Sequence, residues 1–183
     1  MFSVLSVLPG RRLYVFRKFR PDFTFNSYNE VTAQFLRENG INVLLIDIDN
    51  TLAPYEQEIS DEAHAEWFDK LRKAGIRVAL ISNNKRERVE LFNRSLKLPA
   101  YPESGKPRRK NMRAALAELN ADVSESAILG DQLFTDAYAG KRLGMRAIIV
   151  PPIRDKKTPF FRVKRALERG IMRGHGKRKR NKN

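Results

Sequence analysis

The sequence predicts an α/β fold, a three-layer α/β/α sandwich built on a mainly parallel sheet. Three observations predict it. Four short apolar runs, rich in branched residues and without alternation, suit strands buried on both faces. The stretches between them are amphipathic and carry helix start and stop signals. Polar and acidic residues follow the runs directly, where an open α/β sheet places its ligands.

The first run, INVLLIDI, covers 41–48, and the others are IRVALIS at 76–82, SAILG at 126–130 and MRAIIV at 145–150. Ahead of the first run, Ser27 and Glu30 have the spacing of a capping box for a helix ending near Gly40. Ser60 or Asp61 caps a second helix that stops at Gly75, and another helix stops at Gly144. Near the C-terminus, Thr158 and Pro159 open a segment whose Phe160, Val163, Leu167 and Ile171 share one face. Basic residues surround that face, so a basic amphipathic helix is expected over 158–173.

At 183 residues, 42% of them hydrophobic, the chain is long enough for one domain with a sizeable core. Its charge divides it into three parts. Residues 1–22 form a basic N-terminal extension with net charge +4, 23–153 a neutral body, and 154–183 a basic helix and tail with thirteen basic against two acidic residues. Two basic ends on a neutral body suit a polyanionic partner, either anionic lipid or nucleic acid, although a merely solubilising tail has the same composition. There is no cysteine, and two histidines, His64 and His175, make a poor zinc set, so any metal is expected to be oxygen-bound. No apolar stretch approaches the roughly 20 residues of a membrane-spanning helix. In 1–20 the apolar part precedes the charges, the reverse of a secretory signal, while the Arg-rich, acid-poor composition is that of a mitochondrial transit peptide.

The first run ends in Asp47 and Asp49, followed by Asn50 and Thr51. Burying these carboxylates in a core would be costly, whereas a loop at the strand's carboxyl end makes them ligands for a hard cation. Ser82, Asn83 and Asn84 follow the second run with a hydroxyl and backbone N–H groups at a helix entry, an arrangement that holds phosphate. Lys106 lies between Gly105 and Pro107 in a loop, and the third run opens into GDQLFTD with Asp131 and Asp136. Each residue alone has an ordinary structural reading, but together and in this order they point to phosphate chemistry.

This pattern resembles the four motifs of the haloacid dehalogenase superfamily of phosphatases. DIDNT, Ser82, Lys106 and GD through Asp136 stand in for motifs one to four. DNTLAP, ISNN, GKP and GDQLFTD look most like the YqeG family of subfamily IIIA, a capless branch related to mitochondrial phosphatidylglycerophosphatases. The resemblance implies a Rossmann-like fold and a magnesium-dependent phosphomonoesterase. It implies that Asp47 is the nucleophile, Asp49 the general acid and base, and Lys106 a catalytic cation. Ser82, Asn83 and Lys106 would bind the substrate's phosphate. Magnesium would sit on Asp47 and Asp131 through their carboxylates and on Asp49 through its carbonyl, with Thr51 and Asp136 in support. The spans from Thr51 to Ser82 and from Ser82 to Lys106, roughly 30 and 24 residues, leave no room for a cap domain.

An open site favours a substrate presented on a large surface. Phosphatidylglycerophosphate at an anionic membrane is the first expectation. A nucleic-acid terminus or a phosphoprotein is the second, and a non-enzymatic nucleic-acid-binding or scaffold protein the third. The corresponding location is cytoplasmic and peripheral on the inner membrane face, or the mitochondrial matrix in a eukaryote.

Overall fold

The computed structural model describes residues 18–154. The strands are β1 (Phe23–Thr24), β2 (Val43–Ile46), β3 (Arg77–Ile81), β4 (Ala100–Tyr101), β5 (Ser126–Gly130) and β6 (Arg146–Ile149). All pair in parallel in one sheet of order β1-β6-β5-β2-β3-β4. The helices are α1 (Ala33–Glu38), α2 (Glu62–Lys73), α3 (Arg86–Asn93), α4 (Lys110–Glu118) and α5 (Tyr138–Leu143).

All four residues of β2 are buried, and they alternate between two cores. Leu44 and Ile46 pack with Leu36 of α1, Trp67 and Leu71 of α2, and Val89 and Phe92 of α3. Val43 and Leu45 face the other way, onto Met112 and Leu116 of α4 and Ala139 of α5. Each large aliphatic side chain so buried contributes about 2 kcal/mol of apolar transfer energy. Two faces covered by helices explain why the strands lack polar alternation.

Successive strands leave β2 in opposite directions, β3 and β4 to one side and β5 and β6 to the other. The chain therefore reverses its winding between β2 and β5, which opens a crevice beyond their carboxyl ends. Among the described residues no cap domain stands over that crevice, and no helix is long and apolar enough to cross a membrane.

One local expectation changes and another is settled between its two candidates. Tyr28–Glu30 is a 3₁₀ turn, and Ser27 makes no side-chain cap. The helix begins later, where Thr32 Oγ1 accepts from Phe35 N–H at 3.1 Å. Asp61, rather than Ser60, caps α2 through a reciprocal pairing with His64, whose Nε2 also meets the Leu52 carbonyl at 2.9 Å. At the junction with the expected N-terminal extension, Phe19 stacks on Tyr138 and Asp22 accepts from Ala147 N–H at 2.7 Å. The expected helix over 158–173 lies outside the described residues.

Candidate active site

The carboxyl end of β2 turns sharply, with the N–H groups of Thr51, Leu52 and Ala53 converging on the Ile48 carbonyl. Asn50 takes the left-handed conformation this turn needs (φ 63°), one that Asn tolerates better than most residues. The turn carries Asp47 and Asp49 to the lip of the crevice. Asp131 follows β5, and Asp136 comes from a π turn, Leu133–Ala137, that folds back over the strand end. That fold-back requires Gly130: a β-carbon there would lie 2.4–2.5 Å from the Asp136 side chain.

Lys106 lies at the centre, its side chain only 2% exposed. Its Nζ donates to Asp47 Oδ1 at 2.6 Å and to the Ile81 carbonyl at 2.8 Å, and forms an ion pair with Asp136 Oδ1 at 2.7 Å. Thr51 Oγ1 donates to the second oxygen of Asp47 at 3.3 Å. The charges of Asp136 and Asp47 hold the ammonium well above its usual range despite burial. Burial pushes the Asp47 carboxyl up to about 8, opposed by Lys106 and reinforced by the charges of Asp136 and Asp131.

At the second β–α crossing the side chains brace the neighbouring loops. Asn83's side chain is spent on the Lys106 loop: Oδ1 accepts from Lys106 N–H at 2.7 Å and Ser104 Oγ at 2.8 Å, while Nδ2 donates to the Lys106 carbonyl at 3.1 Å. Ser82 is fully buried. Its hydroxyl accepts from Asn84 N–H at 3.0 Å and donates to Asp49 Oδ2 at 3.4 Å. Asn84 Nδ2 meets the same Asp49 oxygen at 3.0 Å.

Asp47, Asp49, Asn83, Lys106 and Asp136 line a cavity of about 420 Å³, together with Tyr55, Asn84, Gln132 and Thr135. The fold thus brings all the sequence-derived candidates to one crevice, with Ser82, Thr51 and Asp131 just behind its wall. Tyr55 was not among them. It follows Pro54 in the loop after β2, and burial together with the charges of Asp49 and Asp131 pushes its hydroxyl up to about 12, so it remains a neutral phenol.

Asp47, Asp131 and Asp136 can place one oxygen each within 4.8 Å of one another. With all three ionised, the carboxylates around one ammonium leave two negative charges in a buried setting, the amount that one divalent cation cancels. An all-oxygen donor set suits magnesium, so the residues fit the ion that the sequence led us to expect.

The model of the haloacid dehalogenase-like hydrolases matches residues 15–144. The chain belongs to that family. It is 30% identical over 154 residues to the probable phosphatase YqeG of Bacillus subtilis, a match covering 84% of this chain and 90% of that protein. A shorter match, 26% over 88 residues, links it to the glyceraldehyde 3-phosphate phosphatase of Pyrococcus abyssi, covering 43% of this chain and 37% of that one. Among solved structures, an uncharacterized protein from Listeria monocytogenes serotype 4b shares the fold, with a TM-score of 0.50 and 19% identity over 65% of this chain and 85% of the other. The chain is a haloacid dehalogenase-type phosphatase, and magnesium is the cofactor of this group.

Proposed function

We propose that this phosphatase hydrolyses phosphate monoesters through an aspartyl-phosphate on Asp47, and that its substrate is phosphatidylglycerophosphate presented at an anionic membrane. One observation carries the mechanism: Asp47 faces the cavity, its carboxylate fixed between Lys106 and Thr51, with Asp49 two residues away on the same wall. A carboxylate so held attacks phosphorus in line. As the Asp47 oxygen bonds to phosphorus, the ester oxygen leaves and takes a proton from Asp49. Asp49 then accepts a proton from the water that cleaves the aspartyl-phosphate. Lys106 stays bridged between Asp47 and Asp136 and offsets charge on the transferred group. Asp47 and Asp131 would hold magnesium, which would supply the charge neutralisation that lets two anions approach.

The lipid reading is supported by what surrounds the cavity. Without a cap, specificity falls to whatever surface presents the phosphate. Arg108, Lys110, Arg113 and Arg142 are exposed on the Lys106 loop, α4 and α5, and none joins an ion pair among the described residues. Arg109 joins this group through its bond to the Arg142 carbonyl at 3.0 Å, and Arg142 reaches back to the Pro107 carbonyl at 3.5 Å. A cationic flank beside an open site, with the basic ends in the sequence, suits an anionic bilayer. Glu103 is the exposed acid on the approach to that loop.

The test is phosphate release from phosphatidylglycerophosphate in mixed micelles, from a 5′-phosphorylated oligonucleotide and from a phosphopeptide, each with and without magnesium. Magnesium-dependent turnover that is fastest on the lipid supports the reading. Preference for the oligonucleotide or the peptide replaces the substrate but keeps the mechanism, whereas turnover that survives Asp47→Asn overturns the mechanism itself.

A further inference from the structure

Behind Asp49 lies a cation that belongs to none of the motif positions. Arg88, in the first turn of α3, has a side chain only 13% exposed and places Nη2 3.2 Å from Asp49 Oδ1. Its Nη1 donates to the Glu58 carbonyl at 3.1 Å, in the loop between β2 and α2, and its guanidinium carbon lies 5.4 Å from the centre of the Phe92 ring. The two oxygens of Asp49 are thereby divided, Oδ2 to Ser82 and Asn84 and Oδ1 to Arg88.

A guanidinium so far out of water needs a compensating charge, and Asp49 is its only ion-pair partner among the described residues. The approach is Coulombic rather than a directed hydrogen bond, since neither Nη2 nor Asp49 Oδ1 meets hydrogen-bond geometry. Such a contact steers the carboxylate without locking it, as a group that must give and later take a proton requires. Arg88 is absent from the cavity lining, so it acts through Asp49 rather than on the substrate.

We propose that Arg88 is a positioning residue that holds the Asp49 carboxylate toward the leaving oxygen and couples it, through the Glu58 carbonyl, to the loop carrying Tyr55. The proposal rests on the proton-transfer role of Asp49 given above. Loss of Arg88 leaves Asp49 tethered by Oδ2 alone, free to swing away from the scissile bond. The cost falls on substrates whose leaving group needs that proton and spares those whose leaving group departs unaided.

The experiment compares turnover of an alkyl phosphate and p-nitrophenyl phosphate by wild type, Arg88→Gln, Arg88→Lys, Asp49→Asn and the Asp49→Asn/Arg88→Gln double variant, with magnesium and with the melting temperature of each recorded. Arg88→Gln is expected to lower kcat on the alkyl ester by about 10- to 100-fold and on the nitrophenyl ester by only a few-fold. Arg88→Lys should recover part of the loss. In the Asp49→Asn background, Arg88→Gln should add less than about twofold, as residues acting through one another do. Equal losses on both esters, or full additivity in the double variant, overturn the positioning role while leaving Asp49 in place. If Asp49→Asn itself shows no leaving-group dependence, the role of Asp49 fails first and the proposal falls with it.

Discussion

Asp47 carries opposing demands: it must be ionised to attack, yet burial and two neighbouring carboxylates push its carboxyl up to about 8. The folded value lies above the unfolded one near 3.9, so the protonated form is favoured in the fold. The stability this contributes is present at acid pH and is lost as pH rises through about 8. Metal-free wild type should therefore lose melting temperature between about pH 4 and pH 8 relative to Asp47→Asn, which carries no charge there. Magnesium should remove that difference by binding the ionised native state. A pH-independent gap between the two metal-free proteins would count against this account. Gly130 makes a second residue-scale case. Because a β-carbon would overlap Asp136, Gly130→Ala should displace the partner of Lys106, lowering kcat at least about tenfold along with the melting temperature. Wild-type kinetics in that variant would show that the π turn relaxes without disturbing Lys106.

At the scale of elements, what the sequence reveals depends on how many residues share a signal. β2, β3, β5 and β6 stood out because each is a run of buried branched residues, Asp47 and Asp131 because they end or follow such runs, and Lys106 because it lies between Gly105 and Pro107 in a loop. β1 and β4 have two residues each, too few for a pattern, and are held by register to β6 and β3. Arg88 and the bracing role of Asn83 were hidden for another reason: their partners, Asp49 and Lys106, are distant in sequence. The start of α1 shows how a correct motif can mislead. Ser27 and Glu30 have capping-box spacing, but the Glu30 carboxylate accepts from Asn26 N–H at 3.0 Å and the segment closes as a 3₁₀ turn. Thr32→Ala should consequently cost about 1 kcal/mol, whereas Ser27→Ala should stay within about 0.5 kcal/mol in chemical denaturation. The reverse order would restore the earlier boundary.

Over the whole molecule, an evenly charged body proves uneven in space. Residues 23–153 have equal numbers of acids and bases, but folding buries Asp47, Asp49, Asp131 and Asp136 at the crevice and sets Arg108, Lys110 and Arg113 on an exposed flank beside it. If the proposed membrane partner is right, this flank and the basic ends bring the crevice to the bilayer together. Each well-placed cation contributes about 1 kcal/mol near an anionic surface and loses much of that in moderate salt. The triple variant Arg108→Glu/Lys110→Glu/Arg113→Glu alters exposed side chains that carry no ion pair among the described residues, so its fold and its magnesium-dependent hydrolysis of p-nitrophenyl phosphate should stay within a few-fold of wild type. On phosphatidylglycerophosphate in anionic vesicles it should lose at least about tenfold, and added salt should narrow the gap as wild type weakens. Zwitterionic micelles holding the same lipid should show little difference between the proteins. Equal activity on anionic vesicles would remove this flank from the membrane account and leave the basic ends to carry it. A loss confined to a 5′-phosphorylated oligonucleotide would instead assign the flank to nucleic acid, where its effect should follow the steep salt dependence of phosphate contacts.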